Sequence, residues 1–189
     1  MALRRHETAA AVLLAAFAVA GCGGGLADAD DDTARASAST GVPARVDTLE
    51  STFESIYALG EAVLDAIYEG DPARLATYGL NAAEWYWIVW PELPAARPET
   101  GLTWEYPWRD LNQKSGNSAR RTIANHQGRR YRLLRVEFAG ETTAYASFRV
   151  HRDARCVVET ARGEIVTLDL FGSVIERHGR FKAFSFNVD

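Results

Sequence analysis

Apolar side chains recur at spacings of three and four residues between Leu49 and Tyr68, which is the period of one face of an α-helix. This pattern predicts a long amphipathic helix over residues 47–69, and Gly70 suits the turn that ends it. The apolar positions on this face are Leu49, Phe53, Ile56, Tyr57, Gly60, Val63, Leu64, Ile67 and Tyr68.

Capping residues predict two shorter helices after the first. Asp71 followed by Pro72 is typical of an N-cap and a first helical position, and Gly79 is the expected stop. Asn81 with Glu84 three residues later predicts a capping box. The helix that starts there is expected to carry Trp85, Tyr86, Trp87, Ile88, Val89 and Trp90, and to end at Pro91.

The proline-rich and aromatic segment 91–108 predicts an ordered but irregular loop. A weaker helical pattern covers residues 109–126, and the run Gly116-Asn117-Ser118 is a candidate interruption. From Tyr131 the apolar period changes to two, which predicts strands. The first is expected over 131–138, and the second over 143–150 with a continuation through Asp153 into 155–160. The third is expected over 164–177 with a bulge or kink at Gly172, and the last over 180–188 after a hairpin at His178-Gly179. Helices followed by a β-meander indicate the α+β class.

The N-terminus has the composition of an export signal. Arg4 and Arg5 precede an uncharged apolar run over residues 8–20, which is too short to cross a bilayer comfortably. The run Val19-Ala20-Gly21-Cys22 resembles the bacterial lipobox. The resemblance implies a signal peptide over residues 1–21 and lipid attachment to Cys22. Two or more acyl chains would then hold the protein stably at a membrane. An ordinary secretory signal with a chance cysteine is the alternative.

Residues 22–46 are rich in Gly, Ala, Ser, Thr and Asp, which predicts a flexible tether with a reach of about 25 to 30 Å. Gly23 in place of Asp after the lipidated cysteine resembles the signal for the outer membrane, with the protein facing the periplasm. Residues 47–189 have a globular composition and suit one domain with its own core.

The order of elements resembles the nuclear-transport-factor-2-like, or SnoaL-like, superfamily, as does the closing run from Phe171 to Lys182 (FGSVIERHGRFK). The resemblance implies N-terminal helices packed on a curved antiparallel sheet in a cone-shaped, cystatin/SnoaL-like fold with an apolar pocket. Members of that superfamily include isomerases, dehydratases and hydrolases, and many others only bind ligands or proteins. Its steroid isomerases place one Tyr and two Asp in the pocket. The available residues of those types are Tyr57, Tyr68, Asp65 and Asp169, and no motif assigns a role to any of them.

All five tryptophans lie between residues 85 and 108, together with two tyrosines. Such rings form walls for apolar or sugar-like ligands and anchors for protein partners, although they also fill a satellite core beneath a long loop. Arg109 suits a carboxylate or phosphate, or an ion pair with Asp110. The predicted ligand or partner surface is Trp85, Trp90, Trp104, Tyr106, Trp108 and Arg109.

Other chemistry is less favoured. The net charge of −4 argues against nucleic-acid binding. The spacing of His126, His151 and His178 predicts no metal site, and no cofactor motif occurs. Lipidation of Cys22 leaves Cys156 as the single thiol, which its strand pattern assigns to the core.

The sequence therefore predicts a membrane-anchored lipoprotein of the bacterial cell envelope with a non-enzymatic domain that binds a small apolar ligand or an envelope protein. One alternative is an isomerase or dehydratase that uses Asp65 or Asp169 as its base. The other is an oligomerisation or scaffold module, for example a homodimer.

Overall fold

A computed structural model of the chain describes residues 41–187. The predicted signal peptide, the lipobox with Cys22 and most of the predicted tether lie outside the described residues, as does Val188. The described part combines helices with two antiparallel sheets and belongs to the α+β class. Among its helices, none has both the length and the apolar composition needed to cross a membrane.

The predicted cap signals are confirmed. Gly70 ends the first helix in the left-handed conformation, with a φ of 71°. Asp71 accepts a hydrogen bond from the backbone N–H of Arg74 at 2.9 Å, and Asn81 and Glu84 form a reciprocal capping box. The α-helices are α1 (Ile56–Glu69), α2 (Pro72–Thr77), α3 (Ala82–Glu84) and α4 (Glu105–His126).

The predicted start of the first helix at residue 47 is wrong, because α1 begins at Ile56. The Oγ of Ser55 caps it by accepting a hydrogen bond from the N–H of Ala58 at 3.0 Å. Upstream, Phe53 exchanges two backbone hydrogen bonds with Phe181, at 2.9 and 2.8 Å. The chain before Ser55 therefore pairs with the last strand, although its apolar spacing also matches a helix.

The segment between α3 and α4 departs most from the prediction. Trp85–Val89 is a π-helix rather than a continuation of an α-helix. The predicted loop is a series of 3-10 turns. Each turn has one proline, at its first or second position, where the missing backbone N–H costs least. These turns are Trp90–Glu92, Pro94–Ala96 and Pro98–Thr100. Helix α4 begins at Glu105 and continues through Gly116, so the predicted interruption there is wrong.

The strands form two sheets, in the orders β1-β4-β5 and β2-β3-β6-β7, and all neighbours are antiparallel. The strands are β1 (Tyr131–Phe138), β2 (Thr142–Ala144), β3 (Arg149–Arg152), β4 (Ala154–Thr160), β5 (Ile165–Leu168), β6 (Phe171–Arg177) and β7 (Arg180–Phe186).

Two strands predicted as continuous are interrupted. The predicted strand 143–150 contains a turn, in which the N–H of Tyr145 bonds to the carbonyl oxygen of Phe148 at 2.8 Å. The predicted strand 164–177 divides into β5 and β6, which lie in different sheets. Its predicted irregularity at Gly172 is confirmed by register shifts against β7. The hairpin prediction also holds, since His178 and Gly179 both have positive φ.

Two apolar clusters form the core. The larger one joins buried residues of α1, α2, α4, β4 and β6. Helix α1 approaches β1 so closely at Gly60 that a Cβ there would lie 2.8 Å from Leu133 Cδ2. The smaller cluster joins Trp85, Ile88 and Val89 to apolar residues of β3 and β6. The second cluster supports the aromatic segment that carries the candidate site.

Candidate functional site

The residues of the predicted surface lie in different environments. Trp85 is only 4% exposed and belongs to the second core cluster, so it is not a surface residue. Tyr106 is 68% exposed, and Arg109 is also exposed. Their neighbour Asp110 pairs with Lys114 at 2.8 Å. Three of the six residues are half-buried against the cluster: Trp90, Trp104 and Trp108.

An open depression of about 440 Å³ lies beside this cluster, and we refer to it as the aromatic depression. It contains two residues of the predicted surface, Trp90 and Trp104. The prediction missed Tyr86, Trp87 and Glu105, although their positions in the same aromatic run were a usable signal. The remaining lining residues are Pro91, Ala96 and Thr103.

The π-helix determines which rings reach the depression. Its closing hydrogen bond joins the N–H of Trp90 to the carbonyl oxygen of Trp85, five residues back. In an α-helix, residues five apart lie on different faces, whereas here the rings of Trp85 and Trp90 are 6.4 Å apart. Trp85 packs inward and Trp90 lines the depression, so the core ring supports the lining ring.

The rings of the depression meet at steep angles. The ring of Tyr86 lies 4.8 Å from that of Trp87 at 90°, and 5.1 Å from that of Trp104 at 70°. Edge-to-face packing of this kind holds aromatic side chains in fixed orientations. The depression therefore has rigid walls that face different directions, rather than one flat platform.

The chain that precedes α1 contributes to the same region. The indole N–H of Trp87 donates a hydrogen bond to the carbonyl oxygen of Pro43 at 3.0 Å. The guanidinium carbon of Arg45 lies 5.4 Å from the centre of the Trp87 ring, which is a cation–π distance. Packing contacts thus begin before residue 47, where the sequence placed the start of the domain.

Glu105 supplies the one carboxylate that lines the aromatic depression. It lies in the first turn of α4, where the helix dipole favours a negative charge. Its Oε2 atom is inaccessible to solvent, and no donor within the described part of the chain reaches it. A carboxylate oxygen in this state lacks the hydrogen bond that usually offsets its desolvation.

A buried ion pair lies beside the aromatic segment, and no local sequence pattern predicts it. Lys182 Nζ is 2.9 Å from Glu84 Oε1, and the two side chains are 2% and 0% exposed. The same Glu84 oxygen accepts the backbone N–H of Glu50 at 2.6 Å, while Lys182 donates to the Glu50 carbonyl oxygen at 2.7 Å. The pair therefore binds both backbone polar groups of Glu50, in the segment before α1.

The carboxylates considered for catalysis are both exposed. Asp169 pairs with Arg155 at 3.1 Å. Asp65 lines an open groove with Tyr68 and Arg130, and the guanidinium of Arg130 lies 4.3 Å from the Tyr68 ring centre. Neither carboxylate lies in the apolar pocket that the catalytic alternative requires.

The remaining titratable candidates have structural partners. His126 Nδ1 is 2.9 Å from the hydroxyl of Tyr131, and burial, followed by the charge of Arg129, lowers the pKa of His126. Cys156 is buried as predicted, and burial followed by the charge of Asp169 raises its pKa to about 12. Within residues 41–187, no group of three His, Cys, Asp or Glu side chains is arranged to hold a metal ion.

Comparison of the chain with models of protein families, with curated proteins and with solved structures found no match.

Proposed function

We propose that this chain is a lipoprotein of the bacterial cell envelope, anchored through Cys22 at the outer membrane and facing the periplasm. Its folded domain binds a ligand in the aromatic depression without chemical conversion. The observation that carries the proposal is an open depression lined by four aromatic side chains, three of which pack edge to face. Clefts with rigid aromatic walls and few polar groups are typical of small-molecule sites.

Binding is favoured over catalysis by the surroundings of the reactive groups. Asp65 and Asp169 are solvated, and the thiol of Cys156 is buried with its pKa raised to about 12. Glu105 is the remaining acidic group with an aromatic environment, and no histidine or lysine lines the depression beside it. The isomerase or dehydratase alternative therefore loses the two carboxylates on which it was based.

For the fold, we propose the cone-shaped, SnoaL-like arrangement, with the helices packed on a curved antiparallel sheet. The closing hairpin from Phe171 to Lys182 supports it, as do the register shifts beside Gly172, because bulges bend strands. A crystal structure in which both sheets curve around the helices is the expected result. Two separate flat sheets would contradict the proposal.

Membrane attachment is tested by fractionation of cells that express the protein or its Cys22→Ser variant. The unmodified protein is expected in the outer-membrane fraction, and the variant in the soluble fraction. Mass spectrometry should detect acyl chains on the N-terminal peptide of the unmodified protein only. A Cys22→Ser variant that still sediments with membranes would refute the anchor while leaving the binding proposal intact.

Ligand binding is tested by NMR with fragments of three classes: neutral apolar compounds, monosaccharides and organic ammonium ions. At least one class is expected to perturb the indole N–H signals of Trp90 or Trp104. Tyr86→Ser should abolish the perturbation, because Tyr86 touches two other walls of the depression. The matched control is Tyr106→Ser, which removes an equal side chain outside the depression. No Tyr86-dependent binding in any class would sink the proposal.

A further inference from the structure

We propose that the aromatic depression selects an organic ammonium ion that carries alkyl groups and at least one N–H. This inference rests on the proposed function, since it names the ligand class of the same depression. The alkyl groups contact the rings of Tyr86, Trp87 and Trp104, and the N–H donates to the carboxylate of Glu105. Three observations support this choice.

The first observation is the arrangement of the rings. The face of an aromatic ring is electronegative, and the indole of tryptophan attracts a cation most strongly. Because Tyr86 stands at 90° to Trp87 and at 70° to Trp104, the ring faces point in different directions around the depression. Aromatic side chains at steep mutual angles form the kind of cage that recognises alkylated ammonium groups. A sugar ring stacks better on a single flat platform.

The second observation is a cation of the chain itself on one of these rings. The guanidinium of Arg45 lies 5.4 Å from the centre of the Trp87 ring. This side chain is also exposed and pairs with Asp47 at 3.4 Å, so it is not confined to that position by burial. The contact shows that the Trp87 ring accepts a positive charge within this fold.

The third observation is Glu105, the one residue with a carboxylate among the lining residues of the depression. Its buried Oε2 atom has no donor in the described part of the chain. The charge of Arg45 is balanced by its pair with Asp47, and the N-terminus of α4 places only about half a positive charge near Glu105. The depression therefore keeps a net attraction for cations, and an ammonium N–H that reaches the carboxylate forms a charge-assisted hydrogen bond.

The inference is tested with two compounds that share one heavy-atom skeleton. N,N-dimethylethanolammonium carries the charge and an N–H, and 3-methyl-1-butanol is its neutral counterpart. The unmodified protein is titrated with each compound, and the indole N–H signals are followed by NMR. We expect the cation to bind about tenfold more tightly or better, because ring faces and carboxylate both act on its charge.

Glu105→Gln keeps the shape of the side chain and removes its charge, so affinity for the cation should fall severalfold, while the attraction of the ring faces for the cation remains. Glu99→Gln is the matched control, because it removes an equal charge from the neighbouring 3-10 turn without changing the lining of the depression. Its affinity for the cation should change less than twofold.

The outcomes separate the two proposals. Equal affinity for both compounds, with loss of both in Tyr86→Ser, would overturn the ammonium inference and leave the binding function in place. Binding of monosaccharides alone would also overturn the ammonium inference and leave the binding function in place. An unchanged affinity for the cation in Glu105→Gln would also overturn the inference. If neither compound binds and no fragment of any class binds, both proposals fail.

Discussion

Replacement of Lys182 by methionine isolates the contribution of the buried ion pair. The Nζ of Lys182 lies 2.9 Å from Glu84 Oε1 and 2.7 Å from the carbonyl oxygen of Glu50. Methionine keeps much of the length and apolar volume of the side chain but removes the charge and the donors. The Glu84 carboxylate then stays buried, with the backbone N–H groups of Glu50 and Asn81 as its remaining donors.

The expected loss of stability is large for a single substitution. Removing one partner of a buried ion pair costs about 3 to 5 kcal/mol, because an uncompensated charge remains in the interior. The free energy of unfolding of a single domain is typically about 5 to 15 kcal/mol, so the loss is a substantial fraction of it. With a urea dependence of about 2 kcal/mol per molar, the midpoint of unfolding should fall by about 2 M.

The assay is equilibrium urea unfolding followed by tryptophan fluorescence. Lys114→Met is the control, because Lys114 forms an exposed pair with Asp110, and it should leave the midpoint almost unchanged. The double variant Lys182→Met with Glu84→Gln should recover part of the stability, because no charge remains buried. A midpoint for Lys182→Met equal to that of the unmodified protein would refute the reasoning. A double variant no more stable than Lys182→Met would refute it as well.

The other predictions concern packing and titration. Gly60→Ala should reduce the free energy of unfolding by up to about 2 kcal/mol, since overpacking against β1 exceeds the gain of about 1 kcal/mol in helix propensity. Gly116→Ala has space for its Cβ in α4 and should raise the free energy of unfolding by up to about 1 kcal/mol. NMR titration should give His126 a pKa below 6.5 in the folded protein, and this pKa should rise in Arg129→Gln. Because the pKa is lower in the folded state, the unfolded state binds more protons as the pH falls below 6.5, and the contribution of His126 to stability is lost there. Cys156 should resist iodoacetamide at pH 8 until the protein unfolds, as measured on its tryptic peptide; rapid labelling of the native protein would contradict its burial.

Features that depend on neighbouring residues were predicted correctly, and features that depend on contacts between distant residues were not. The caps at Asp71 and Asn81 and the turn at Gly70 depend on residues within a few positions, and they were correct. The start of α1 was wrong because Phe53 pairs with Phe181, which a local periodicity cannot show. The π-helix was missed for a related reason, since an unbroken aromatic run gives the same apolar pattern for either helix type.

The strand breaks had a different cause. Aromatic and β-branched residues continue through 143–150 and through 164–177, so the alternation indicates one strand in each case. The chain changes sheets near Asp153, which adopts a φ of 52°, and between β5 and β6. A left-handed aspartate is tolerated but is not required by its neighbours in sequence. These breaks therefore depend on how the two sheets meet the core.

The candidate site was predicted in composition but not in geometry. The concentration of tryptophan between residues 85 and 108 indicated an aromatic site, and Trp90 and Trp104 do line the depression. Burial of Trp85 and exposure of Tyr106 depend on the π-helix and on the start of α4 at Glu105, neither of which the sequence predicted. The Glu84–Lys182 pair joins residues 98 positions apart, so no local pattern indicates it.

The buried pair and the depression are connected through the chain before α1. Glu84 directly precedes the π-helix, and with Lys182 it binds the backbone N–H and C=O of Glu50. A few residues upstream, the carbonyl oxygen of Pro43 accepts the indole N–H of Trp87. One ring of the depression is thus fixed by a segment whose other end depends on the ion pair. A buried ion pair stabilises a fold less than apolar packing does, but its hydrogen bonds require a defined geometry. The ion pair at Glu50 and the Trp87 indole at Pro43 therefore fix the path of this segment at two points.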